Sequence, residues 1–406
     1  MNPYAFVFFW LLLCQSLAVW ALPPPAMATA GEGDLLFGMS TALSGPAAEL
    51  GQEMRRGVLA GFEAANRGGG LGGRRLRLIS LDDGYEPSRT APNMQQLLDH
   101  DDLLAVIGNV GTPTAIASLP LIRRYRTLFF APFSGAGGLR RSPPERYVMN
   151  IRASYAEEIS TMVDALIEKG GLQPRDIAFF TQRDGYGDAC YVGGFAALKQ
   201  HGLRDEQQVL HVRYRRNTLA VENALADLLM AEHPPRAVIM VGAYAPCAKF
   251  IRLAKKSGLD ALLLNVSFVG SDALARELGS AGEGVIITQV VPHPKDSQLP
   301  LVQDYRRDLA KIDPSPPGFV SLEGYLAARI LLLGLSRVKG ELTRERLIDG
   351  LEQLQTFDLG LNLPLHFDPE DHQASHRVWP TMLQQGQVVS TTWEHALRQW
   401  RKVDEP

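Results

Sequence analysis

Residues 103–114 read LLAVIGNVGTPT, an apolar run followed by glycines and hydroxyl-bearing residues. The run Leu103–Ile107 has the length of a buried strand and is followed by turn-forming residues. Thr112 suits the N-cap of a following helix, and Pro113 suits its first helical position. The free N–H groups of that helix start, with the hydroxyls of Thr112 and Thr114, would seat a carboxylate or another polar oxygen. Ordinary helix capping without a ligand explains the same residues equally well.

Similar apolar runs alternate with amphipathic, helix-like segments along most of the chain. The other runs are Leu35–Met39, Leu76–Leu81, Leu128–Ala131, Ile177–Phe180, Val209–Tyr214, Ala237–Val241, Ala261–Leu264 and Val285–Val291. This alternation favours an α/β fold with mostly parallel sheets. The pattern restarts after Ile151-Arg152-Ala153, where Ser154 and Glu157 form a capping-box sequence. Because 406 residues exceed what one core usually supports, the sequence predicts two similar lobes.

The N-terminal residues have the pattern of an export signal. Ala5–Leu22 is almost entirely apolar, the next three residues are prolines, and Ala26-Met27-Ala28 then provides a site for signal peptidase. This order predicts a signal peptide over residues 1–28, cleaved before Thr29, and a mature protein in the periplasm. A membrane anchor is the alternative, because about 18 apolar residues can just span a bilayer.

No later stretch is predicted to span a membrane, since even Ala327–Leu335 is interrupted by Arg329. Stable membrane insertion after signal cleavage is therefore not expected. The net charge of −3 gives no reason to expect a nucleic acid partner. Beyond the signal, only Cys190 and Cys247 remain, and they either pair or stay as two separate thiols.

The sequence offers little support for an enzyme or for a cofactor. It lacks a GxGxxG after a strand, a P-loop and a GxSxG elbow. No cysteines have metal-ligand spacing. His372 and His376 have the i,i+4 spacing of a helical metal pair, but Pro369 just before them favours a solvated loop. We therefore expect no metal, no cofactor and no catalytic residues.

Three further strand exits carry candidate ligand-binding residues. Leu128–Ala131 leads into Pro132-Phe133-Ser134-Gly135, where glycine permits close backbone approach and Ser134 offers a donor. Tyr186 and Tyr244 follow two strands of the second series, each with a glycine nearby. A flexible loop and ordinary tyrosine packing are the alternatives.

These loops resemble those of a known family, the type I periplasmic binding proteins of the branched-chain amino-acid (Leu/Ile/Val) family. Its members are substrate-binding subunits of ABC importers. The resemblance covers nearly all of residues 34–389. The motifs that carry it are Leu43-Ser44-Gly45-Pro46, Leu81-Asp82-Asp83, Ile107-Gly108 with Thr112 and Thr114, Ala131-Pro132, Tyr186-Gly187, Val241-Gly242 with Tyr244, and Gly324-Tyr325.

The resemblance implies two Rossmann-like α/β lobes, joined by a three-strand hinge, that close over a ligand. We expect lobe 1 to comprise residues 34–152 and 292–360, and lobe 2 to comprise residues 153–291 and 361–395, with a tail at 396–406. The expected crossovers between lobes are Ile151–Ser154, Val290–Pro294 and Leu359–Leu365.

The resemblance also assigns site residues. Thr112, Phe133 (through its backbone) and Ser134 or Gly135 fall where the family grips a ligand carboxylate, and Thr114 lies beside them. Tyr186 and Tyr244 fall where the opposite lobe closes on the ligand.

Two positions depart from the family pattern. Ser267, in the neutral run 265–268, stands where amino-acid binders place an acid for the ammonium group. Gly135 stands where a threonine is expected. An α-amino acid ligand would need Asp82, Asp83 or Asp184 to supply the missing charge.

The expected function is that of a soluble solute-binding protein that closes on a small molecule and delivers it to the permease of an ABC importer. An amino acid, an amide or a small carboxylate would fit this role. The alternatives are a sensing subunit that presents its ligand to a separate receptor or sensor kinase, and a binding protein for a more apolar ligand. The sequence leaves the ligand and the oligomeric state open.

Overall fold

The computed structural model describes residues 33–401 except residue 297, and not the side chains of residues 399–401. The predicted signal peptide and its cleavage site lie outside the described residues. The strands are β1 Leu35–Thr41, β2 Leu76–Asp82, β3 Leu103–Ile107, β4 Leu128–Phe130, β5 Val148–Met149, β6 Ile177–Gln182, β7 His211–Tyr214, β8 Ala237–Val241, β9 Leu262–Asn265, β10 Ile286–Gln289, β11 Gln355–Phe357, β12 Leu365–Phe367, β13 Trp379–Gln384 and β14 Gln387–Ser390.

The helices follow the strands in the order that the sequence predicts. They are α1 Ala48–Arg67, α2 Pro87–Leu98, α3 Thr112–Tyr125, α4 Tyr155–Asp164, α5 Gly185–Gln200, α6 Glu222–Leu229, α7 Tyr244–Lys256, α8 Ser271–Leu278, α9 Pro300–Leu309, α10 Phe319–Arg337, α11 Arg344–Glu352 and α12 Trp393–Arg401. The predicted capping box at the start of α4 is confirmed, since the Ser154 hydroxyl accepts from the Glu157 N–H and the Glu157 carboxylate accepts from the Ser154 N–H.

Two large sheets form the two lobes. The first has five strands in the order β2-β1-β3-β4-β5, all parallel. The second has seven strands in the order β14-β13-β10-β9-β8-β6-β7, in which β13 and β14 form an antiparallel hairpin at one edge. The predicted fold class, α/β with mostly parallel sheets in two lobes, is therefore confirmed. In both sheets the carboxyl ends of the parallel strands supply the loops that matter for binding.

The chain passes between the sheets after β5, after β10 and before β13. The segment that precedes β13 lies beside the first sheet, because the Phe367 ring is 6.4 Å from that of Phe130 and Gln373 forms a bridge with Asn150. The last return to the second sheet therefore follows Gln373, later than the predicted crossover at 359–365. The predicted lobe boundaries at residues 152 and 291 stay predictions.

Helix α10 is the core helix of the first lobe, and it packs closely on α1. A Cβ at Gly57 would lie 1.9 Å from the Ser321 carbonyl oxygen, and one at Gly324 would lie 2.3 Å from the Met54 carbonyl oxygen. Only glycine permits this approach, which explains the Gly324 motif. By length and composition α10 is also apolar enough to cross a membrane, contrary to the sequence prediction. One arginine does not offset so many apolar residues, but most of the helix is buried in the lobe.

Candidate functional site

Five aromatic rings meet where the two lobes face each other. Tyr85 and Phe133 come from loops of the first lobe, whereas Tyr155, Tyr186 and Phe268 come from the second. The Phe268 ring lies 5.2 Å from that of Phe133, 4.5 Å from that of Tyr186 and 6.0 Å from that of Tyr85. All five side chains are buried. We call these five residues the seam cluster.

The first lobe brings Thr112 and Ser134 together beside this cluster. Their hydroxyl oxygens are 2.7 Å apart, and both residues are fully buried. Thr112 is the first residue of α3, and the N-cap is Gly111, so the predicted N-cap is wrong by one residue. Gly111 has a φ of +109°, and a Cβ there would lie 2.1 Å from the Tyr85 ring. Gly111 therefore adopts a backbone conformation that favours glycine, and its lack of a side chain lets Tyr85 pack against the start of α3.

Thr114 and the Phe133 backbone have partners inside the first lobe. The Thr114 hydroxyl donates to the carbonyl oxygens of Val110 and Gly111 at 2.6 Å and 2.9 Å. The Phe133 N–H donates to the Asn109 carbonyl, and its own carbonyl accepts from the Gly111 N–H. Thr114 thus fixes the turn before α3, and Phe133 offers its ring to the site.

The structure gives a physical reason for Gly135. A Cβ at this position would lie 2.5 Å from Cδ1 of Tyr155 and 2.6 Å from its backbone nitrogen. The Tyr155 N–H also donates to the Gly135 carbonyl at 2.8 Å. The Tyr155 ring therefore occupies the space that the side chain of a threonine would need.

The two predicted tyrosines of the second lobe have different surroundings. Tyr186 belongs to the seam cluster, whereas Tyr244 is half-buried at the start of α7 and is not one of its rings. Tyr244 instead lines a cavity of about 680 Å³ at the edge of the interface between the lobes, together with Glu49, Asp272 and His293. The structure therefore does not bring Tyr244 to the other predicted site residues.

Ser267 is part of a buried ionic group that the sequence analysis missed. Its hydroxyl accepts from Arg152 and donates to Glu158 Oε1 at 2.9 Å, and its N–H donates to Glu158 Oε2 at 2.8 Å. The Arg152 guanidinium lies 3.4 Å from Glu158 and 3.5 Å from Glu323, and it covers the Phe133 ring at 4.7 Å. Ser267, at the position where an ammonium-binding acid is expected, therefore contacts a buried arginine and its glutamate partner.

Burial shifts the pKa values of Glu323 and of the neighbouring Arg140. Desolvation raises the pKa of Glu323 to about 7, because the nearby Arg152 only partly offsets it. Burial, followed by the charge of Arg152, lowers the pKa of Arg140 to about 10. Arg140 donates to the carbonyl oxygens of Ser134 and Ala136 at 3.1 Å. A buried guanidinium group, that of Arg152, and a partly buried one, that of Arg140, therefore lie close to the Ser134 loop.

Several buried polar atoms around the seam cluster make no hydrogen bond within the described residues. They are Nε and Nη1 of Arg152, the phenolic oxygens of Tyr155 and Tyr186, and Oε1 of Glu323. Such atoms are rare in native interiors, because leaving one unpaired costs about 1–3 kcal/mol. Their concentration at one place makes it the candidate binding site.

The remaining titratable candidates lie elsewhere. Cys190 and Cys247 are separate buried thiols. His372 is buried in a loop with Glu352, so the solvated loop expected for the histidine pair holds only for the exposed His376. Ligand atoms of Asp164, Glu168 and His201 lie within 4.8 Å of one another, a spacing that could hold a metal, at the far end of α4 from the seam cluster.

Two α/β lobes that meet over a cluster of rings and unpaired polar atoms are the architecture of the two-lobed ligand-binding proteins. The chain belongs to the periplasmic binding protein family, whose model matches residues 35–387. Within it, the chain is a type I protein of the Leu/Ile/Val-binding type, a solute-binding protein. This family consists of binding and transport proteins rather than enzymes.

Solved and characterised relatives agree with this assignment. A possible leucine/isoleucine/valine-binding protein from Rhodopirellula baltica is 51% identical, with a TM-score of 0.87 over 91% of this chain and 100% of that one. A leucine-, isoleucine-, valine-, threonine- and alanine-binding protein of Pseudomonas aeruginosa is 23% identical over 78% of this chain and 81% of its own length. A solute-binding protein from R. palustris, solved with benzoate, is 20% identical with a TM-score of 0.77 over 88% and 95% of the two chains, a likeness of fold alone.

Proposed function

We propose that this protein captures a small molecule between its lobes in the periplasm and delivers it to the permease of an ABC importer. The observation that carries the proposal is the seam cluster, where rings from both lobes surround buried polar atoms without partners. A bound solute would supply the missing hydrogen bonds and pack against the rings. Thr112 and Ser134 would contact it from the first lobe, and Tyr155 and Tyr186 from the second.

Polar contacts hold the lobes together on both flanks of the cluster. On one flank, Asp272 accepts from the Phe319 N–H at 2.8 Å. On the other flank, Glu86 accepts from Arg216 at 2.7 Å and from Asn217 at 2.6 Å. Water can replace contacts of this kind when the lobes separate, at a lower cost than exposing an apolar interface. They support a protein that opens and closes.

The names of relatives support delivery to an ABC importer. One structural neighbour is a fatty acid ABC transporter substrate-binding protein from Thermomonospora curvata, and the benzoate-bound neighbour also belongs to an ABC transporter. These names also show that ligands differ among proteins of this fold. The predicted signal peptide over residues 1–28 would place the mature protein in the periplasm, where such importers collect their solutes.

Mass spectrometry of material that copurifies with the mature protein, followed by calorimetry with the identified solute, tests the proposal. We expect saturable binding without turnover. Thr112→Val keeps the side-chain shape and removes the hydroxyl, so it should weaken binding about ten- to a hundredfold, the effect of losing a hydrogen bond to a charged ligand oxygen. Thr112→Ser keeps the hydroxyl and is the matched control. A protein that retains no solute from a cell extract would contradict the proposal.

A further inference from the structure

We infer that the solute is a small carboxylate with a flat, apolar body and no ammonium group. This inference rests on the proposed function, because it names the ligand of the same seam cluster. Three features of the site support it. Buried hydrogen-bond donors outnumber acceptors there, the carboxylate oxygens of the nearby aspartates and of Glu158 already accept hydrogen bonds from the protein, and five aromatic rings meet there.

The unpaired polar atoms at the cluster are mostly donors. Nε and Nη1 of Arg152 can only donate, and the phenols of Tyr155 and Tyr186 carry O–H groups. Burial raises the pKa of both phenols well above the usual value, so both stay protonated at physiological pH. The one acceptor without a hydrogen bond, Oε1 of Glu323, lies 3.5 Å from Nη1 of Arg152 and forms an ion pair with it. Nε of Arg152 and the two phenol O–H groups therefore remain without an acceptor. The Asn265 amide, nearby in sequence to Ser267, is unpaired at both its nitrogen and its oxygen and leaves this balance unchanged.

A ligand that satisfies this set must be rich in acceptors. A carboxylate offers two oxygens with about four acceptor positions and pairs well with a guanidinium group. The positive charges of Arg152 and Arg140 near the Ser134 loop favour an anion there. The hydroxyls of Thr112 and Ser134 stand beside the same loop.

The three aspartates that could have bound an ammonium group already accept hydrogen bonds from other groups of the protein. Asp82 accepts from the N–H groups of Leu43 and Gly84, and these bonds, with that from Ser44, hold its pKa at about 2 despite the opposing effect of burial. Asp83 accepts from Ser40 and Thr90 and from the Tyr85 N–H.

Asp184 accepts from the Tyr186 N–H through one oxygen and from Gln182 and Arg216 through the other. All three aspartates are thus bound within their own loops or to the neighbouring strand exits. None presents a free oxygen to the cluster.

The two glutamates of the buried ionic group are no better suited to an ammonium group. Both oxygens of Glu158 are engaged, by Ser267 and by Thr288, whose hydroxyl donates to it at 2.5 Å. Glu323 faces Arg152, and its pKa of about 7 leaves it partly protonated at neutral pH. A ligand ammonium would therefore be buried without a fixed carboxylate partner, which is costly.

The rings define the rest of the ligand. Neighbouring rings of the cluster are 4.5–6.0 Å apart, with tilts of 34–53° for the three closest pairs. At these distances the rings contact one another. Rings from the two lobes would expose their faces to a flat apolar body when the lobes move apart. Tyr155 and Tyr186 supply both a ring face and an O–H group, so they suit a ligand with an acceptor at one end.

A matched set of probes tests the ligand class: 3-phenylpropanoate, L-phenylalanine, which differs by an α-ammonium group, and 2-phenylethylamine, which has the amine and no carboxylate. The mature protein is freed of copurified solute by unfolding and refolding, and calorimetry is run with each probe. We expect 3-phenylpropanoate to bind at least about tenfold more tightly than L-phenylalanine, which corresponds to about 1.4 kcal/mol. We expect no binding of the amine.

Tyr186→Phe keeps the ring and removes one donor. It should weaken 3-phenylpropanoate binding about tenfold without lowering the melting temperature, because the phenol has no partner to lose within the described protein. Tyr125→Phe is the control, since Tyr125 lies at the far end of α3, bonded to Asp99 on the surface. Equal affinity in the Tyr186 variant and the parent protein would overturn the role of this donor.

The outcomes separate the ligand class from the binding function. If L-phenylalanine binds as tightly as 3-phenylpropanoate, or the amine binds, the ligand class is wrong and the binding function stands. If no probe binds, the copurified solute decides: a carboxylate without an ammonium group supports the inference, and any other solute overturns it. A protein that binds neither probes nor any solute of a cell extract contradicts the proposed function itself.

Discussion

Glu323 shares a buried site with Arg152 and Glu158, and it gives the protein a pH dependence. Its pKa is about 7 in the folded protein, whereas the usual value is 4.5. Between these values the folded state holds a proton that the unfolded state has released, so the free energy of unfolding falls as the pH rises. The stability that the protonated group contributes is fully present below pH 4.5 and is lost as the pH rises through about 7.

We predict that Glu323→Gln removes this part of the pH dependence. The shift corresponds to an effect on the order of 3 kcal/mol between pH 4.5 and 8. Chemical denaturation of the parent and variant proteins at pH 5 and pH 8 measures it. Glu341→Gln, at an exposed position, is the control. If the parent protein and Glu323→Gln lose the same stability between the two pH values, Glu323 does not titrate as described.

Single residues also show where sequence reasoning stops. The hydroxyls of Thr112 and Ser134 meet at the site because a strand exit and a helix start constrain them locally. Arg152 was missed because its role depends on Phe133, Glu158 and Glu323, which meet only when both lobes are folded. A lone arginine between apolar residues at the change from one series to the next was the available signal.

At the scale of helices and strands, local patterns predicted most of the fold. Leu103–Ile107 and Ala237–Val241 are strands with the predicted bounds. A run of five apolar residues between turn-forming residues has the length of a buried strand and is too short for a typical helix. The direction in which a loop side chain faces was not predictable in the same way. Tyr186 and Tyr244 both follow strands of the second sheet, but only the first enters the seam cluster. That difference depends on how the second lobe meets the first.

Helix α10 begins at the interface between the lobes, and a residue of the other lobe caps it. Asp272 of α8 accepts from the N–H of Phe319, the first residue of α10. A carboxylate at this position pairs a free N–H and interacts favourably with the positive end of the helix dipole. A Cβ at Gly318 would lie 2.7 Å from the Asp272 carboxylate, so the glycine makes room for the contact. Because Asp272 and Phe319 belong to different lobes, the contact would break when the lobes move apart.

We predict that Asp272→Ala shifts the equilibrium toward open lobes. Loss of a helix cap costs about 0.5–2 kcal/mol, so the affinity for the solute should fall about two- to thirtyfold. Calorimetry measures the affinity. Asp205→Ala removes a cap within the second lobe and should leave the affinity unchanged. A lower melting temperature with unchanged affinity would show that Asp272 supports the fold but not closure.

At the scale of the whole molecule, two separate sheets, each covered by its own helices, meet across polar contacts. The contacts of Asp272 with Phe319 and of Glu86 with Arg216 flank a cluster of rings and unpaired donors. Only a few chain segments join the sheets, so a change of backbone angles there can move one lobe relative to the other. This arrangement suits the capture of a solute between the lobes, the function that we propose.

Solution scattering with and without the solute tests closure most directly. The mature protein is measured free of solute, at saturation with the copurified solute, and in the Asp272→Ala variant. The account predicts a larger radius of gyration for the solute-free protein than for the protein at saturation. Identical profiles with and without a solute that calorimetry shows to be bound would contradict it.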